Sequence, residues 1–167
     1  MLCGFMGAGK TSTINAVRLS GNLDNYSFYD SDEELKKVFN VSSIDQLINQ
    51  FGWDRFREAE RELVFSVLDE NERLLLSLGG GSLSETVLRG IHDRQGVLVW
   101  LRVEFSEMID RLRNGQLDRP LLRELALPEL IKLYKEREKI YAKADIIIDN
   151  SDLQLTTDKL LELLNRT

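Results

Sequence analysis

Residues 4–12 have the types and the spacing that hold a chain of phosphates. They read GFMGAGKTS, which contains the pattern G-x-x-x-x-G-K-[ST]. The glycines permit backbone conformations in which successive N–H groups converge on phosphate oxygens, and the helix expected from Lys10 adds its positive N-terminal end. Lys10 is expected to reach the β- and γ-phosphates, and the Thr11 hydroxyl to complete the coordination of a phosphate-bound magnesium. The pattern therefore predicts a site for a nucleoside triphosphate with Mg²⁺.

A glycine-rich turn that only joins a strand to a helix is the alternative interpretation of this segment. It explains Gly4 and Gly9 but gives no reason for the adjacent Lys10 and Thr11. Only residues 1–3 precede the loop, where a buried strand of about five residues is usual. The first strand is therefore expected to be very short, or the native start to be missing.

Two aspartates, Asp30 and Asp32, are separated by one residue. In an extended segment or a tight turn, both carboxylates could face the phosphate loop, one serving the metal and the other a substrate hydroxyl. The alternative is a solvated strand-to-helix turn in which Asp32 or Ser31 caps the helix that contains Glu33 and Glu34. The presence of a phosphate loop favours the functional interpretation.

Further candidates come from one helix, one turn and two arginines. Arg57 and Glu60 lie three residues apart and can form a surface ion pair, which contributes only about 0 to 1 kcal/mol to stability. Three consecutive glycines at 79–81 suggest close approach by a ligand, since each glycine loses conformational entropy on folding. Arg119 lies in a segment RPLL, and Arg137 on the helix that follows. Isolated arginines are usually solvated, so neither stands out alone.

Composition excludes several classes of protein. The 167 residues (19.2 kDa) fit one domain, 1–167, and no apolar run reaches the ~20 residues of a membrane span. The net charge of −6 argues against a general nucleic-acid binder. His92 is the only histidine, which disfavours Ser-His-Asp and Cys-His hydrolases, and it is expected on the surface at a helix end. The lone Cys3 is expected to be a packed thiol, and the absence of a basic n-region predicts the cytoplasm.

Short apolar runs alternate with amphipathic helical patterns along the chain. This order predicts an α/β fold, a parallel sheet with helices on both faces, whose ligand site lies beyond the carboxyl ends of the strands. A segment with Gly115, Pro120 and several charges, residues 113–127, is a candidate mobile loop. Strands are predicted at 26–29, 73–78, 96–101 and 144–148, and helices at 10–19, 32–39, 44–50, 53–68, 105–112, 128–142 and 152–164.

Taken in order, these motifs resemble those of shikimate kinase, from Gly4 to about Asn150. The phosphate loop alone is shared with many kinases and GTPases, whereas the whole set in this order is specific. One position departs from the family pattern, because Trp53 stands where the Gly-Glu-x-x-Phe-Arg-x-x-Glu helix has its first glutamate. The matching segments are GFMGAGKT at 4–11, DSD at 30–32, Gly52 with Phe56, Arg57 and Glu60, SLGGG at 77–81, RPLL at 119–122, and Arg137 with Tyr141.

The resemblance implies a fold of the P-loop, nucleoside monophosphate kinase type, with a mobile lid at about 113–127. It implies ATP-dependent phosphorylation of the 3-hydroxyl of shikimate, in aromatic amino-acid biosynthesis. Catalysis would rest on Lys10, Asp32 and Arg119, and the metal Mg²⁺ on Thr11 directly and Asp30 through water. ATP would meet Gly7, Ala8, Gly9, Lys10, Thr11, Ser12, Arg119 and either Arg111 or Arg113; shikimate would meet Asp32, Arg57, Gly79, Gly80, Gly81 and Arg137.

Other functions fit parts of the same pattern. Two arginines and an acid also suit another hydroxylated carboxylate, such as gluconate, whereas a monophosphate acceptor should need more cationic groups. A catalytically silent nucleotide-binding or regulatory module is the third possibility, supported by Trp53 and the short start. The expected partners are ATP and shikimate, with no nucleic acid and no membrane, for a chain that acts as a monomer.

Overall fold

The computed structural model describes residues 1–20, 23–114 and 125–166, which form a five-stranded, fully parallel sheet with helices. The strand order is β2-β3-β1-β4-β5, so the short first strand lies at the centre. The strands are β1 (Leu2–Cys3), β2 (Ser27–Asp30), β3 (Leu74–Ser77), β4 (Val99–Arg102) and β5 (Ile146–Asp149). The helices are α1 (Lys10–Ser20), α2 (Ser31–Phe39), α3 (Ile44–Glu70), α4 (Glu85–Asp93), α5 (Phe105–Asn114), α6 (Leu127–Tyr141) and α7 (Leu153–Leu164).

Alternate residues of each central strand enter two different cores, because successive side chains of a strand point to opposite faces. Leu2 and Leu75 pack with α1 and α7, whereas Cys3 and Leu76 pack with α3, α4, α5 and α6. A third, smaller cluster joins α2 to α3. The predicted parallel sheet with helices on both faces is confirmed.

Three local features differ from the sequence-based prediction. Helix α4 had no predicted bounds, although His92 near its end is exposed as expected. Strand β4 begins at Val99 rather than at 96, because Gly96 still belongs to the turn after α4, where its N–H donates to Ile91 O (2.9 Å). The predicted helices 44–50 and 53–68 form one element interrupted at Gly52 (φ 82°, ψ 165°). The lone Cys3 is buried, as predicted.

The topology brings the predicted motifs to one edge of the sheet. The phosphate loop follows β1, Asp30 ends β2, and the glycine turn, residues 79–81, follows β3. The site therefore lies beyond the carboxyl ends of the strands, where parallel sheets of this kind usually bind ligands.

In the parts of the chain described above, no helix is both long enough and apolar enough to cross a membrane.

Candidate active site

The phosphate loop (residues 4–11) joins the central strand to α1. Gly7 and Gly9 have φ of 79° and 82°, a region that residues with a Cβ rarely adopt. The Lys10 ammonium donates to Gly4 O (2.8 Å) and Phe5 O (3.1 Å), so its charge lies within the curve of the loop. Because α1 begins at Lys10, its N-terminal N–H groups face the same side. The loop has the charge and the donors to hold polyphosphate.

Asp30 links the phosphate loop to the next helix. Its Oδ2 accepts from the Thr11 hydroxyl (2.7 Å), and its Oδ1 accepts from the backbone N–H groups of Asp32 (3.1 Å) and Glu33 (3.4 Å). Asp30 is therefore the N-cap of α2, and the alternative that assigned the cap to Asp32 or Ser31 is wrong. With Asp30 as the cap, Asp32 falls in the first turn of the helix.

The Thr11–Asp30 pair offers the kinds of oxygen ligand that Mg²⁺ takes in proteins. Within residues 1–20, 23–114 and 125–166, no group of three or more His, Cys, Asp or Glu side chains could hold a metal. Mg²⁺ commonly keeps several waters and takes only one or two protein oxygens together with substrate phosphates. One hydroxyl and one carboxylate in contact beside a phosphate loop match that preference.

Asp32 lies against the glycine turn that follows β3. Its Oδ1 is 2.8 Å from the place that a Cβ on Gly79 would take, so any side chain there would displace the carboxylate. The neighbouring Ser31 hydroxyl is buried and accepts from the Gly79 N–H (2.8 Å). The glycine turn and the first turn of α2 thus hold the Asp32 carboxylate at the carboxyl edge of the sheet.

Two arginines from different helices converge on the same turn. The place of a Cβ on Gly81 is 2.7 Å from Nη2 of Arg57 in α3 and 2.8 Å from Nη2 of Arg137 in α6. Arg137 Nη1 also donates to Gly80 O (2.6 Å), and the Tyr141 hydroxyl donates to the same oxygen. Two planar guanidinium groups at one point form a receptor for an anion, and a carboxylate matches their geometry.

Glu60 is a buried acid, whereas the sequence interpretation treated its pair with Arg57 as a surface ion pair. Its side chain is 3% exposed, and it accepts from Arg57 Nη1 and from the hydroxyl of the buried Ser82. Burial raises the pKa of Glu60, opposed by Arg57. The sequence did contain a signal, because Glu60 falls four residues after Phe56 and four before Val64, on the apolar face of α3.

Electrostatics at the glycine turn favour an anionic ligand. Burial lowers the pKa of Arg137, and the nearby positive charge of Arg57 lowers it further. Burial also raises the pKa of Tyr141, which keeps this hydroxyl protonated as a donor. Glu60 neutralises one of the two guanidinium groups, so the pair retains an excess of positive charge.

Arg111 lies beside the phosphate loop, at the end of α5. Its Nη1 is 3.5 Å from the place of a Cβ on Gly9, and its Nη2 donates to Asn150 O (2.6 Å) and Glu107 Oε1 (2.7 Å). Arg113, the alternative candidate for adenine, is exposed. Arg111 is thus the one that the fold places against the phosphate loop.

Part of the predicted site falls outside the described residues. Arg119 and residues 115–124 of the predicted lid lie there. Of the ends of the lid range, Arg113 belongs to α5 and Leu127 to α6.

Two further side chains support the site without having been predicted to do so. Ser82 holds Glu60, and the buried Asn150 donates from Nδ2 to Ala8 O (2.6 Å) in the phosphate loop. Asn150 follows the last strand, where a polar residue after an apolar run was the only available signal. Their roles depend on contacts between distant segments, which no local pattern specifies.

Comparison with known proteins agrees with this geometry. The model of the shikimate kinase family matches residues 6–166. A shikimate kinase of Sulfurihydrogenibium sp. is 33% identical over 165 residues, covering 99% of this chain and 95% of the relative.

Two solved structures resemble the whole chain. The shikimate kinase of Bacteroides thetaiotaomicron has a TM-score of 0.84 at 28% identity, covering 98% of this chain and 96% of its own. The Acinetobacter baumannii shikimate kinase, solved in complex with shikimate, has a TM-score of 0.82 at 26% identity, covering 99% and 91%. The predicted kinase fold is confirmed, and the chain belongs to the shikimate kinase family.

Proposed function

We propose that this chain transfers the γ-phosphoryl group of ATP to the 3-hydroxyl of shikimate. As a member of the shikimate kinase family, it phosphorylates shikimate with ATP in aromatic amino-acid biosynthesis. The observation that carries the finer assignment is the convergence of Arg57 and Arg137 at Gly81, on the sheet edge that also bears the phosphate loop. An acid held there can present a hydroxyl to a phosphate chain held beside it.

The acceptor is held by two charge-assisted contacts and by close backbone approach. Arg57 and Arg137 grip its carboxylate with planar N–H forks, beside a glycine turn that is too close to neighbouring protein atoms to carry side chains. Gly79, Gly80 and Gly81 form one side of the acceptor site. The Asp32 carboxylate lies beside Gly79, where it can receive hydroxyl groups of the substrate. A site that hydrogen-bonds several groups of one substrate can reject an analogue lacking one of them by ~10⁴-fold or more.

The nucleotide lies along the phosphate loop. Backbone N–H groups of Gly7, Ala8 and Gly9 and of the first turn of α1, with the side chains of Lys10, Thr11 and Ser12, bind its phosphates. Arg111 borders the same loop from α5. By family resemblance it would contact adenine. Arg119 would close over the phosphates, a role that rests on the family resemblance alone.

Thr11 and Asp30 are the residues that would hold Mg²⁺, Thr11 directly and Asp30 through water. When bound with ATP, this ion supplies positive charge to the β- and γ-phosphates as negative charge shifts toward the leaving group. The 2.7 Å contact between the Thr11 hydroxyl and Asp30 holds the two oxygens side by side.

We also propose that the protein is cytoplasmic and monomeric. Analytical ultracentrifugation checks the monomeric state.

Catalysis then needs alignment and charge neutralisation more than covalent chemistry. Asp32 accepts the proton of the attacking hydroxyl, and Lys10 stabilises the transferred phosphoryl group. The N-cap contacts of Asp30 fix the first turn of α2, which contains Asp32. The rigid backbone of this turn therefore orients the Asp32 carboxylate.

Coupled ADP release with purified protein tests the substrate. We expect turnover with ATP, Mg²⁺ and shikimate, and phosphorus-proton correlation NMR should place the new phosphate on the 3-hydroxyl. Turnover with gluconate but none with shikimate would favour the other small-acid kinase. Tight ATP binding without ADP release on any acceptor would favour the silent module.

Replacing the proposed base separates chemistry from binding. Asp32→Asn should lower kcat by on the order of 10²- to 10⁴-fold, since it removes the proton acceptor. ATP affinity, measured by calorimetry, should change less than twofold because the phosphate loop is untouched. Equal kcat in the two proteins would refute the role of Asp32.

A further inference from the structure

We infer that Trp53 positions Arg57 for the acceptor carboxylate and thereby sets the affinity for the acid. This inference rests on the proposed function, because Arg57 matters here as a carboxylate ligand. Trp53 stands at the position where the motif that this chain resembles has glutamate.

Aromatic rings lie close to the Arg57 guanidinium. Arg57 Cζ is 5.2 Å from the centroid of the Trp53 ring and 5.1 Å from that of the Phe56 ring. The two rings are 5.9 Å apart and meet edge to face, at 73°. Such contacts are within the range of cation–π attraction, and tryptophan is the best of the aromatic partners.

Stacking and hydrogen bonding use different parts of a guanidinium group. An aromatic ring contacts the flat face, whereas the N–H groups point outward in the plane. Arg57 Nη1 donates to Glu60, and Arg57 Nη2 lies next to Gly81, close to Nη2 of Arg137. In the arrangement that we infer, the indole contacts the face of the guanidinium group and so restrains Arg57 without occupying the N–H groups that an acceptor carboxylate needs.

A carboxylate at position 53 would act in the opposite way. Residues 53 and 57 are four apart on α3, the spacing at which an acid and an arginine pair. Such an acid would compete with the acceptor for Arg57, which already pairs with Glu60. Trp53 supplies orientation without this competition.

The break at Gly52 explains how the indole reaches this place. Trp53 is the first residue after the break, so its side chain lies one turn before Arg57 on the new segment. It stays 45% exposed, whereas the other tryptophan, Trp100, is buried in the core. A large, half-exposed ring with only two side-chain torsions can order a neighbour at little entropic cost.

The first test is steady-state kinetics of Trp53→Ala, Trp53→Glu and Trp53→Phe. Trp53→Ala should raise the KM for shikimate by roughly 2- to 5-fold, the equivalent of one exposed cation–π contact. Trp53→Glu should raise it further, and Trp53→Phe should restore part of the loss. The KM for ATP and kcat should stay within twofold, which a general disturbance of the fold would not allow.

Phe51→Ala is the matched control. Phe51 is a half-exposed aromatic residue on the other side of the Gly52 break, and it packs on Phe39 instead (ring centroids 5.3 Å apart). Its removal should leave the KM for shikimate unchanged. An increase equal to that of Trp53→Ala would show that any exposed aromatic residue here has the effect, and would overturn the inference.

The second test asks whether Trp53 acts through Arg57. In an Arg57→Ala background, Trp53→Ala should no longer change the KM for shikimate, because the group it orients is gone. A persisting increase overturns the inference. Wild-type protein that fails to use shikimate refutes the proposed function, whereas wild-type turnover with an unchanged KM in Trp53→Ala and Trp53→Glu refutes only the role of Trp53.

Discussion

Two guanidinium groups that meet at one glycine repel each other, and their neighbours reduce that repulsion in different ways. Arg57 pairs with the buried Glu60, whereas Arg137 donates to Gly80 O and lies with its Cζ 5.4 Å from the centroid of the Phe5 ring. These two neighbours of Arg137 offer partial negative charge only, whereas Glu60 is an acid. An acid that binds between the two arginines removes the remaining repulsion, which adds to its affinity.

Arg137 should matter for binding the acid more than for chemistry. Arg137→Ala should raise the KM for shikimate by on the order of 10- to 100-fold, because a charge-assisted contact is lost. The KM for ATP should change less than twofold. Arg55→Ala removes an equal charge from the exposed face of α3 and serves as the control, so a similar increase there would point to overall charge instead.

Glu60 should make stability depend on pH in a direction set by burial. Because its pKa is raised in the folded protein, it favours folding in its protonated form and loses that contribution as pH rises from 4.5 through the raised value. The free energy of unfolding of the wild type relative to Glu60→Gln should therefore fall across this range and level off above it. Urea unfolding of both proteins at several pH values measures it.

The opposite trend is equally informative. If the wild type gained stability relative to Glu60→Gln over that range, the pairing with Arg57 would outweigh burial, and the pKa would be lowered instead.

Sequence specified the residues whose surroundings are local, and missed those that distant contacts define. Lys10 and Thr11 follow from the loop pattern, because the backbone that surrounds them is encoded in the same eight residues. Glu60 follows only in part: its place on the apolar face of α3 indicates burial, whereas its contact with Ser82 comes from another segment. Convergence of Arg57 with Arg137 likewise needs α3 and α6 to be packed, and only family resemblance linked them beforehand.

At the scale of elements, helix ends position most of the site. Asp30 is the last residue of β2 and the N-cap of α2, so one carboxylate caps a helix and contacts Thr11. The break in α3 has a similar effect, because it starts a new helical segment directly before Trp53. Contacts and backbone angles at these junctions set where each helix begins. The predicted elements were therefore largely right, although their first and last residues shifted by a few positions.

Gly52→Ala tests whether the break in α3 is a backbone property of this residue. Its φ and ψ, 82° and 165°, are almost restricted to glycine, so alanine should destabilise the protein by about 1 to 3 kcal/mol. Among the described residues, no heavy atom lies within 4 Å of the place of the new Cβ, so collision is not the cause. Urea unfolding measures the change.

Gln50→Ala, on the exposed surface of the preceding segment, is the control and should stay within about 0.5 kcal/mol of the wild type. A neutral Gly52→Ala with an unchanged KM for shikimate would show that the helix can run on through this position without disturbing the site. A neutral change with a raised KM would instead locate the effect of the break in substrate binding.

At the scale of the whole molecule, the order of the strands makes the shortest one central. β1 contains only Leu2 and Cys3, yet it pairs with β3 on one side and β4 on the other. The alternation of apolar runs and helical patterns was enough to predict the parallel sheet, because the pattern of each βα unit lies in residues that are close together in the sequence. The order of the strands, which no residue pattern specifies, came only with the structure.

Cys3 can therefore report opening of the entire sheet. It is the only cysteine, it is 1% exposed, and burial raises the pKa of its thiol to about 12. At pH 8 only a very small fraction of the native protein therefore carries the reactive thiolate. A disulfide reagent should label the denatured protein once and the native protein only as fast as it unfolds.

ATP with Mg²⁺ and shikimate should slow this labelling, because ligands that bind only the folded state lower the unfolded fraction by the factor 1 + [L]/Kd, about 100-fold at 100 Kd. A Cys3→Ala/Ser66→Cys protein, with its thiol on the exposed side of α3, should react rapidly and show no protection by ligands. If ligands left the labelling rate of Cys3 unchanged, the central strand would open locally, without the cooperative unfolding that its place between β3 and β4 requires.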